Sequence, residues 1–496
     1  MMQARFYKPL LLLLALALLV GASFAQKSMN QARADLGLTR VAPLDNAPPV
    51  LAFTTVALGG FRGLIANALW VRAMDMQDNG KYFEMVQLAD WITKLQPHLP
   101  AVWVVQAWNM AYNISIKFQD PRDRWLWVER GISLLRDDGL RWNPQETSIY
   151  RELAWFFQHK IGQNMDDAHL YYKQAWAEEM IAVLGNTNRV DFDAFIKPQT
   201  ADQGARAKVL RETFKMDPVV MKAVDERYGP LDWRLPESHA IYWAWLGLER
   251  ANKEELITLR RVIYQSMQLA FQRGRLMSAK FGRVFSFGPN LDIVEKVNRA
   301  YEDMMDQDPE NREQITRGHR NFLRDAVYFL YANNRMAEAA RWFAYLGEKY
   351  PKDHLLDGRL ETLPGRISME DYALGRVTED VGETSVDRTK MILRGLYVNH
   401  FNSLALGFSD TAANYEFMAR KIHLRYEKKM ASQEQRVGLP ALAQIKREVL
   451  DDRLGPSSDL PPQVKAQLRT ELGLPAETSA NPPPPSVITN APAQAQ

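Results

Sequence analysis

The stretch LRDAVYFLYANNRMAEAARWFAYLGEKYP, residues 323–351, decides the fold class. Its apolar residues recur three or four positions apart, as they do on the buried face of a helix. These positions are Leu323, Val327, Leu330, Ala339, Phe343 and Leu346. Asn333 and Asn334 supply a turn between the two halves, and Pro351 ends the second half. The segment therefore predicts two helices that fold back on each other.

Two earlier segments repeat this spacing with small defects. One of them runs through Leu69, Ala73, Met76, Met85, Ala89, Ile92 and Pro97. The other has Tyr150, Ala154 and Phe157 in its first helix and Ala168, Tyr172 and Ala175 in its second. Leu69 and Trp103 lie in successive predicted helices, 34 residues apart. A fixed period of this length indicates a helical repeat array, in which no helix pair buries its apolar face alone.

The spacing resembles that of the tetratricopeptide repeats (TPR), a family whose 34-residue unit is a pair of antiparallel helices. The best unit covers residues 320–352 and contains no insertion. The resemblance implies an all-α fold, organised as a TPR-like α-solenoid of antiparallel helix pairs. An irregular helical bundle with chance matches is the alternative.

The composition is that of a folded protein with little net charge. Of the 496 residues, 46% are hydrophobic, and 62 lysines and arginines balance 59 acidic residues to a net charge of +3. So small a charge predicts that nucleic acid is not a partner. Cysteine is absent, which excludes disulfides, cysteine-ligated metals and thiol catalysis.

The N-terminal segment predicts export from the cytoplasm. Arg5 and Lys8 precede an apolar run at residues 9–20, and small residues follow at 21–25. This order is typical of a signal peptide that is cleaved after the small residues. The run is short for a membrane span, which needs about 20 residues, and an uncleaved anchor at residues 9–25 is the alternative. We expect a periplasmic or cell-envelope protein, soluble or attached to the membrane by this segment.

The rest of the chain is divided by composition and by turn signals. The predicted organisation is a signal peptide or anchor at 1–25, an extended lead-in at 26–49, TPR-like helical repeats at 50–180, an irregular insertion at 181–237, further helical repeats at 238–430, C-terminal helices at 431–476 and a disordered tail rich in proline and alanine at 477–496. The tail cannot bury a core, which is why we expect it to be disordered.

The insertion contains the candidate binding surface. Its stretch Gly229–Glu237 is too rich in glycine and proline for a helix, yet it carries three large apolar residues. The candidate partner-binding residues are Leu231, Trp233 and Leu235 in this long inserted loop and Trp243 on the helix that follows. Loops inserted into helical arrays lie on one face, which is where such arrays bind their partners. The alternative is that Trp233 fills a gap in the core.

The search for catalytic motifs is negative. The sequence has no glycine-rich phosphate loop, dinucleotide fingerprint, nucleophile elbow or paired-histidine metalloprotease motif. Its eight histidines lie far apart, so that a metal site would need side chains from distant segments. We therefore predict no catalytic, metal-binding or cofactor-binding residues and no cofactor.

Two classes of function fit these features. The first is an exported, noncatalytic helical-repeat scaffold that mediates protein–protein interaction in the cell envelope with a protein partner of unknown identity. The alternative is an exported α-helical enzyme that acts on carbohydrate through two carboxylates, which must converge in one cleft from separate segments.

Overall fold

The structure is a computed structural model, and it describes residues 62–278, 285–356, 360–379, 386–430, 439–455, 458 and 460–475, together with scattered positions between 18 and 32. These residues are mostly helical with almost no sheet, which confirms the prediction of an all-α protein. The predicted signal segment and lead-in lie largely outside the described residues, and the predicted tail lies entirely outside them. The chain divides into two compact units, residues 1–102 and 103–496.

The described part of the first unit consists mainly of one helix pair. Helices α1 (Arg62–Asp78) and α2 (Tyr82–Leu95) pack against each other. Gly80 makes the turn between them with φ at +69°, a conformation that glycine adopts without the steric penalty of a side chain. Ala73 and Ala89 are both buried, as expected for small residues where two helices meet. The spacing around Leu69 therefore predicted a helix pair that the structure contains.

The second unit begins with longer helical segments. Helix α3 (Pro100–Trp108) spans the boundary between the units, and α4 (Pro121–Ser133), α5 (Thr147–Trp155) and α6 (His169–Leu184) follow. The first three of these continue without a break into π-helical stretches, at Asn109–Ile114, Leu134–Gly139 and Phe156–Ile161. Asp120 caps α4 through a hydrogen bond that its side chain accepts from the Arg122 backbone N–H.

The segment 181–237, which we predicted as an irregular insertion, is partly helical. It contains α7 (Phe192–Ile196), α8 (Ala201–Glu212) and α9 (Pro218–Tyr228). The N-cap residues of these helices are Asp191, Thr200 and Asp217. The side chain of each accepts a hydrogen bond from a backbone N–H of the first turn. Of the predicted loop Gly229–Glu237, residues 229–235 lie outside any helix, whereas Pro236 and Glu237 belong to the helix that follows.

A small β-hairpin interrupts the helices that follow. Helices α10 (Pro236–Leu248) and α11 (Lys253–Arg273) pack against each other, and α10 also packs against α5. Strands β1 (Arg275–Ser278) and β2 (Phe285–Gly288) then pair in antiparallel fashion, with Leu276 opposite Phe287. Helix α12 (Val294–Gln307) packs against α11.

The stretch that decided the fold class forms two packed helices. They are α13 (Arg312–Ala332) and α14 (Met336–Lys349). Asn334 lies in the turn with φ at +58°, a conformation that asparagine tolerates better than most residues. Ala339 is fully buried, together with Leu323, Val327, Leu330 and Leu346. Spacing alone therefore placed this helix pair correctly.

The C-terminal part surrounds one long helix. The elements are α15 (Met369–Glu379), α16 (Val386–Ala405), α17 (Ser409–Met430), α18 (Leu442–Leu454) and α19 (Pro462–Glu471). Helix α16 packs against α17, α18 and α19, and α13 packs against α15 and α17. One continuous apolar core runs through the second unit, from Trp103 to Leu468. Among the residues that the structure describes, no helix is long and apolar enough to cross a membrane.

Candidate functional site

The four residues that we predicted to bind a partner lie in the core. Leu231, Trp233, Leu235 and Trp243 are each no more than 2% exposed. The Asp225 carboxylate accepts hydrogen bonds from the Leu231 backbone N–H at 2.8 Å and from Trp233 Nε1 at 2.9 Å. So little exposure leaves no surface for a partner. The structure therefore corrects the binding hypothesis and favours the alternative, in which Trp233 fills the core.

The polar groups of this loop are also used inside the molecule. Asp232 and Arg234 form a buried ion pair at 2.7 Å. The same two side chains hold strand β1, because Asp232 Oδ2 accepts from the Leu276 N–H at 2.9 Å and Arg234 Nη2 donates to the Leu276 carbonyl oxygen at 3.0 Å. His239 Nε2 lies 2.9 Å from the Trp233 carbonyl oxygen. The loop thus fixes the hairpin in place.

The hairpin forms one wall of a groove with a volume of about 450 Å³. Helices α13, α16 and α17 supply the other walls. The groove is lined by Asn188, Arg275, Leu276, Met277, Phe287, Gly288, Pro289, Tyr328, Phe329, Ala332, Asn333, Leu396, Ser403, Thr411, Asn414, Tyr415 and Met418. All of these belong to the second unit.

The lining combines aromatic rings with side-chain amides. Phe287, Tyr328, Phe329 and Tyr415 supply the rings, and Asn188, Asn333 and Asn414 supply the amides. Asn414 Nδ2 donates to Asn333 Oδ1 at 3.2 Å, and Asn333 Nδ2 donates to the Phe329 carbonyl oxygen at 2.9 Å. A ligand-binding cleft of this kind has apolar walls and a few polar groups that orient the ligand.

An arginine cluster lies beside the groove. We use this name for Arg189, Arg275 and Arg335, which all contact the Asp292 carboxylate; the Arg189 and Arg335 nitrogens lie 3.0 and 2.9 Å from its oxygens. Arg335 also pairs with Glu338. Three guanidinium groups thus share two carboxylates, which leaves one positive charge in excess. Arg275 itself lines the groove, and the side chain of Arg189 is 56% exposed.

A pair of carboxylates lies elsewhere in the second unit. Burial and then the negative charge of Glu129 raise the pKa of Glu179 to about 7. These two residues belong to α4 and α6, which pack against each other. Sugar hydrolysis uses an acid with a raised pKa and a second carboxylate about 5–9.5 Å from it in one cleft. Neither residue lines the groove.

Within the described residues, no group of three histidine, aspartate or glutamate side chains could hold a metal ion. Comparison with known proteins gives no match: no family model, no curated protein and no solved structure is significantly similar to this chain. The resemblance to tetratricopeptide repeats therefore depends on residue spacing alone.

The groove was not predicted from the sequence. Its walls come from residue 188, residues 275–277 and 287–289 at the hairpin, and helical segments at 328–333 and 396–418. Only the folded chain brings these segments together, and they share no local pattern. The one local signal was the aromatic stretch Phe285–Gly288, which is too short to separate from a buried turn.

Proposed function

We propose that this chain is an exported, noncatalytic scaffold of the tetratricopeptide-like kind, an α-solenoid that binds a segment of a partner protein in the cell envelope. The observation that carries the proposal is the groove of about 450 Å³ with its rings and amides. Aromatic rings provide contact area at low entropic cost, and amides bond with a polypeptide backbone.

The packing of successive helices supports the repeat part of the proposal. Helices α10, α11, α12, α13 and α14 pack each against the next, as expected when helical hairpins stack. The core is continuous across these helices. In such arrays, the surface left over after stacking is available to partners.

A matched pair of variants tests whether the groove binds the partner. Asn414 lies in the groove, and its neighbour Ala413 is exposed but does not line it. Asn414→Trp should fill the groove, whereas Ala413→Trp adds the same ring to the outer surface. The exported chain is purified with its bound proteins, which are identified by mass spectrometry. We expect one partner to be lost from Asn414→Trp and kept by Ala413→Trp. Equal recovery from both variants would contradict the proposal.

Export is tested separately. The proposal depends on the charged start, the apolar run and the small residues of segment 1–25. Residues 1–40 are fused to a reporter that is active only outside the cytoplasm, and we expect activity. Sequencing the mature N-terminus then distinguishes cleavage after Ala25 from a retained anchor. An inactive fusion would contradict export.

The enzyme alternative is favoured by the placement of Glu129 and Glu179 on the packed helices α4 and α6, where burial and the charge of Glu129 raise the pKa of Glu179. It predicts that the purified protein releases reducing ends from a cell-envelope polysaccharide and that Glu179→Gln abolishes the release. Binding of the partner in the groove should be unchanged in that variant. If the protein releases sugar and the release depends on Glu179, the enzyme hypothesis replaces the scaffold hypothesis.

A further inference from the structure

Among the described residues, strand β2 pairs only with β1, so that its other edge, at Phe287, has no partner strand. Its cross-strand partner Leu276 directs its N–H and C=O out of the hairpin, to Asp232 and Arg234. In an antiparallel ladder, residues that direct these groups outward form the non-hydrogen-bonded pairs, and both members do so. The N–H and C=O of Phe287 therefore point away from β1. Within the described part of the chain, no backbone group from outside the hairpin is hydrogen-bonded to either of them.

The strand that carries this edge is paired with β1, which is itself anchored at Leu276. The ion pair of Asp232 and Arg234 binds β1 at Leu276, and β1 in turn fixes the register of β2. Phe287 and Gly288 line the groove. An unpaired strand edge is a template for an extended peptide, which adds to the sheet through its own backbone.

The positive charge beside this edge favours an acidic ligand. Arg275 lies opposite Gly288, one residue from Phe287 in the hairpin register. It belongs to the arginine cluster, where three guanidinium groups share Asp292 and Glu338. A carboxylate placed there would meet an excess positive charge and guanidinium donors suited to bidentate hydrogen bonds.

We propose, on the basis of the proposed function, that the groove binds an extended acidic polypeptide segment. The segment pairs through its backbone with the N–H and C=O of Phe287 and places a carboxylate at the arginine cluster. Aromatic rings such as Tyr415 and Phe329 receive alternate side chains of the segment, since successive residues of a strand point to opposite sides. Asn333 and Asn414 bond to its remaining backbone groups.

Display selection on the purified full chain provides the probe. Random peptides of twelve residues are selected, the enriched peptides are synthesised, and their affinities are measured by fluorescence anisotropy. We expect the enriched peptides to share an aspartate or glutamate at a fixed position. Their affinity should fall at least tenfold in Asn414→Trp and remain unchanged in Ala413→Trp.

Two further measurements test the contacts. Arg189→Gln removes one exposed member of the arginine cluster, and Arg341→Gln is its matched control, since Arg341 is similarly exposed and pairs with Glu295 outside the groove. We expect peptide binding to be three- to tenfold weaker in Arg189→Gln and unchanged in Arg341→Gln. Replacing the shared acid by its amide should abolish that difference. Single N-methylation of the peptide backbone should lower the affinity about tenfold at the peptide residue that pairs with Phe287. At the two neighbouring peptide residues it should change the affinity little.

The outcomes distinguish this inference from the proposed function. If no peptide is enriched, or if the enriched peptides bind Asn414→Trp as well as the wild type, the groove is not a protein-binding site and both proposals fail. If peptides bind in the groove but are neutral or basic, only the acidic specificity fails and the inference is overturned. Tolerance of N-methylation at every position would overturn strand addition.

Discussion

The loop 229–235 and the groove beside the hairpin have similar residues and different environments. Both combine aromatic rings with proline and glycine, Trp233 in the loop and Phe287 in the groove. Trp233 is 1% exposed and its Nε1 donates to Asp225, whereas Phe287 is partly exposed and its outward backbone groups have no backbone partner among the described residues. Apolar composition therefore does not separate a core plug from a binding surface, but the use of the polar groups does.

The physical reason lies in the cost of burying polar groups. A buried N–H or carboxylate without a partner costs free energy, so that a segment meant for the core must satisfy its polar atoms internally. The loop does so through Asp225, Asp232 and Arg234. The groove leaves polar groups available to a ligand.

The largest expected difference concerns stability. Trp233→Ala should lower the free energy of unfolding by about 3–5 kcal/mol, because it empties a filled site in the core. Tyr415→Ala in the groove should cost roughly 1 kcal/mol, since Tyr415 lines the groove and is only partly buried. Guanidinium unfolding followed by circular dichroism measures both. Equal losses would mean that the two sites do not differ as the structure indicates.

The two regions should also differ in how they respond to pH. Burial lowers the pKa of His239 to about 4, and its hydrogen bond to the Trp233 carbonyl only partly opposes this. The unfolded chain, with an ordinary histidine pKa near 6.5, binds the proton first. Stability should therefore fall as the pH drops from about 6.5 to about 4, by roughly 3 kcal/mol for this residue. Equilibrium unfolding of His239→Gln should lack this part of the slope.

No histidine is present among the described residues that line the groove. Peptide binding should consequently change little between pH 7 and pH 5.5, while the stability of the wild type already declines. His319, whose pKa burial also lowers to about 4, contributes a similar slope that remains in His239→Gln. A wild type and a His239→Gln variant with identical pH profiles would show that His239 is protonated normally in the folded protein.

The smallest expected difference comes from single polar groups. Asp225→Ala should cost about 1–3 kcal/mol, because it leaves the Leu231 N–H and Trp233 Nε1 buried without an acceptor. Asn414→Ala in the groove should change stability by about 0.5 kcal/mol or less, since its amide is partly exposed and its one hydrogen bond goes to Asn333, which is also partly exposed. Thermal unfolding of both variants measures this. A more destabilised Asn414→Ala would indicate a core role for that amide.

The sequence was informative where structure is local. The spacing around Ala339 and Ala89 predicted helix pairs, because contacts within a helical hairpin depend on residues a few turns apart. Whether Trp233 lies in the core or on a binding surface could not be predicted in this way. It depends on Asp225 for its hydrogen bond and on distant Leu276 for the position of its loop. The groove could not be predicted from the sequence either, since its walls meet only after the hairpin, α13 and α17 have folded together.

The measurement that tests the account most directly is site-specific photo-cross-linking in the cell of origin. A photoreactive phenylalanine analogue replaces Tyr415 in the groove or, as the control, exposed Ala413 on the same helix. Adducts are analysed by mass spectrometry. We predict that the groove position cross-links to one segment of a protein partner and that the control position does not. No protein adduct at Tyr415, or the same adducts at both positions, would contradict the claim that this groove binds a protein.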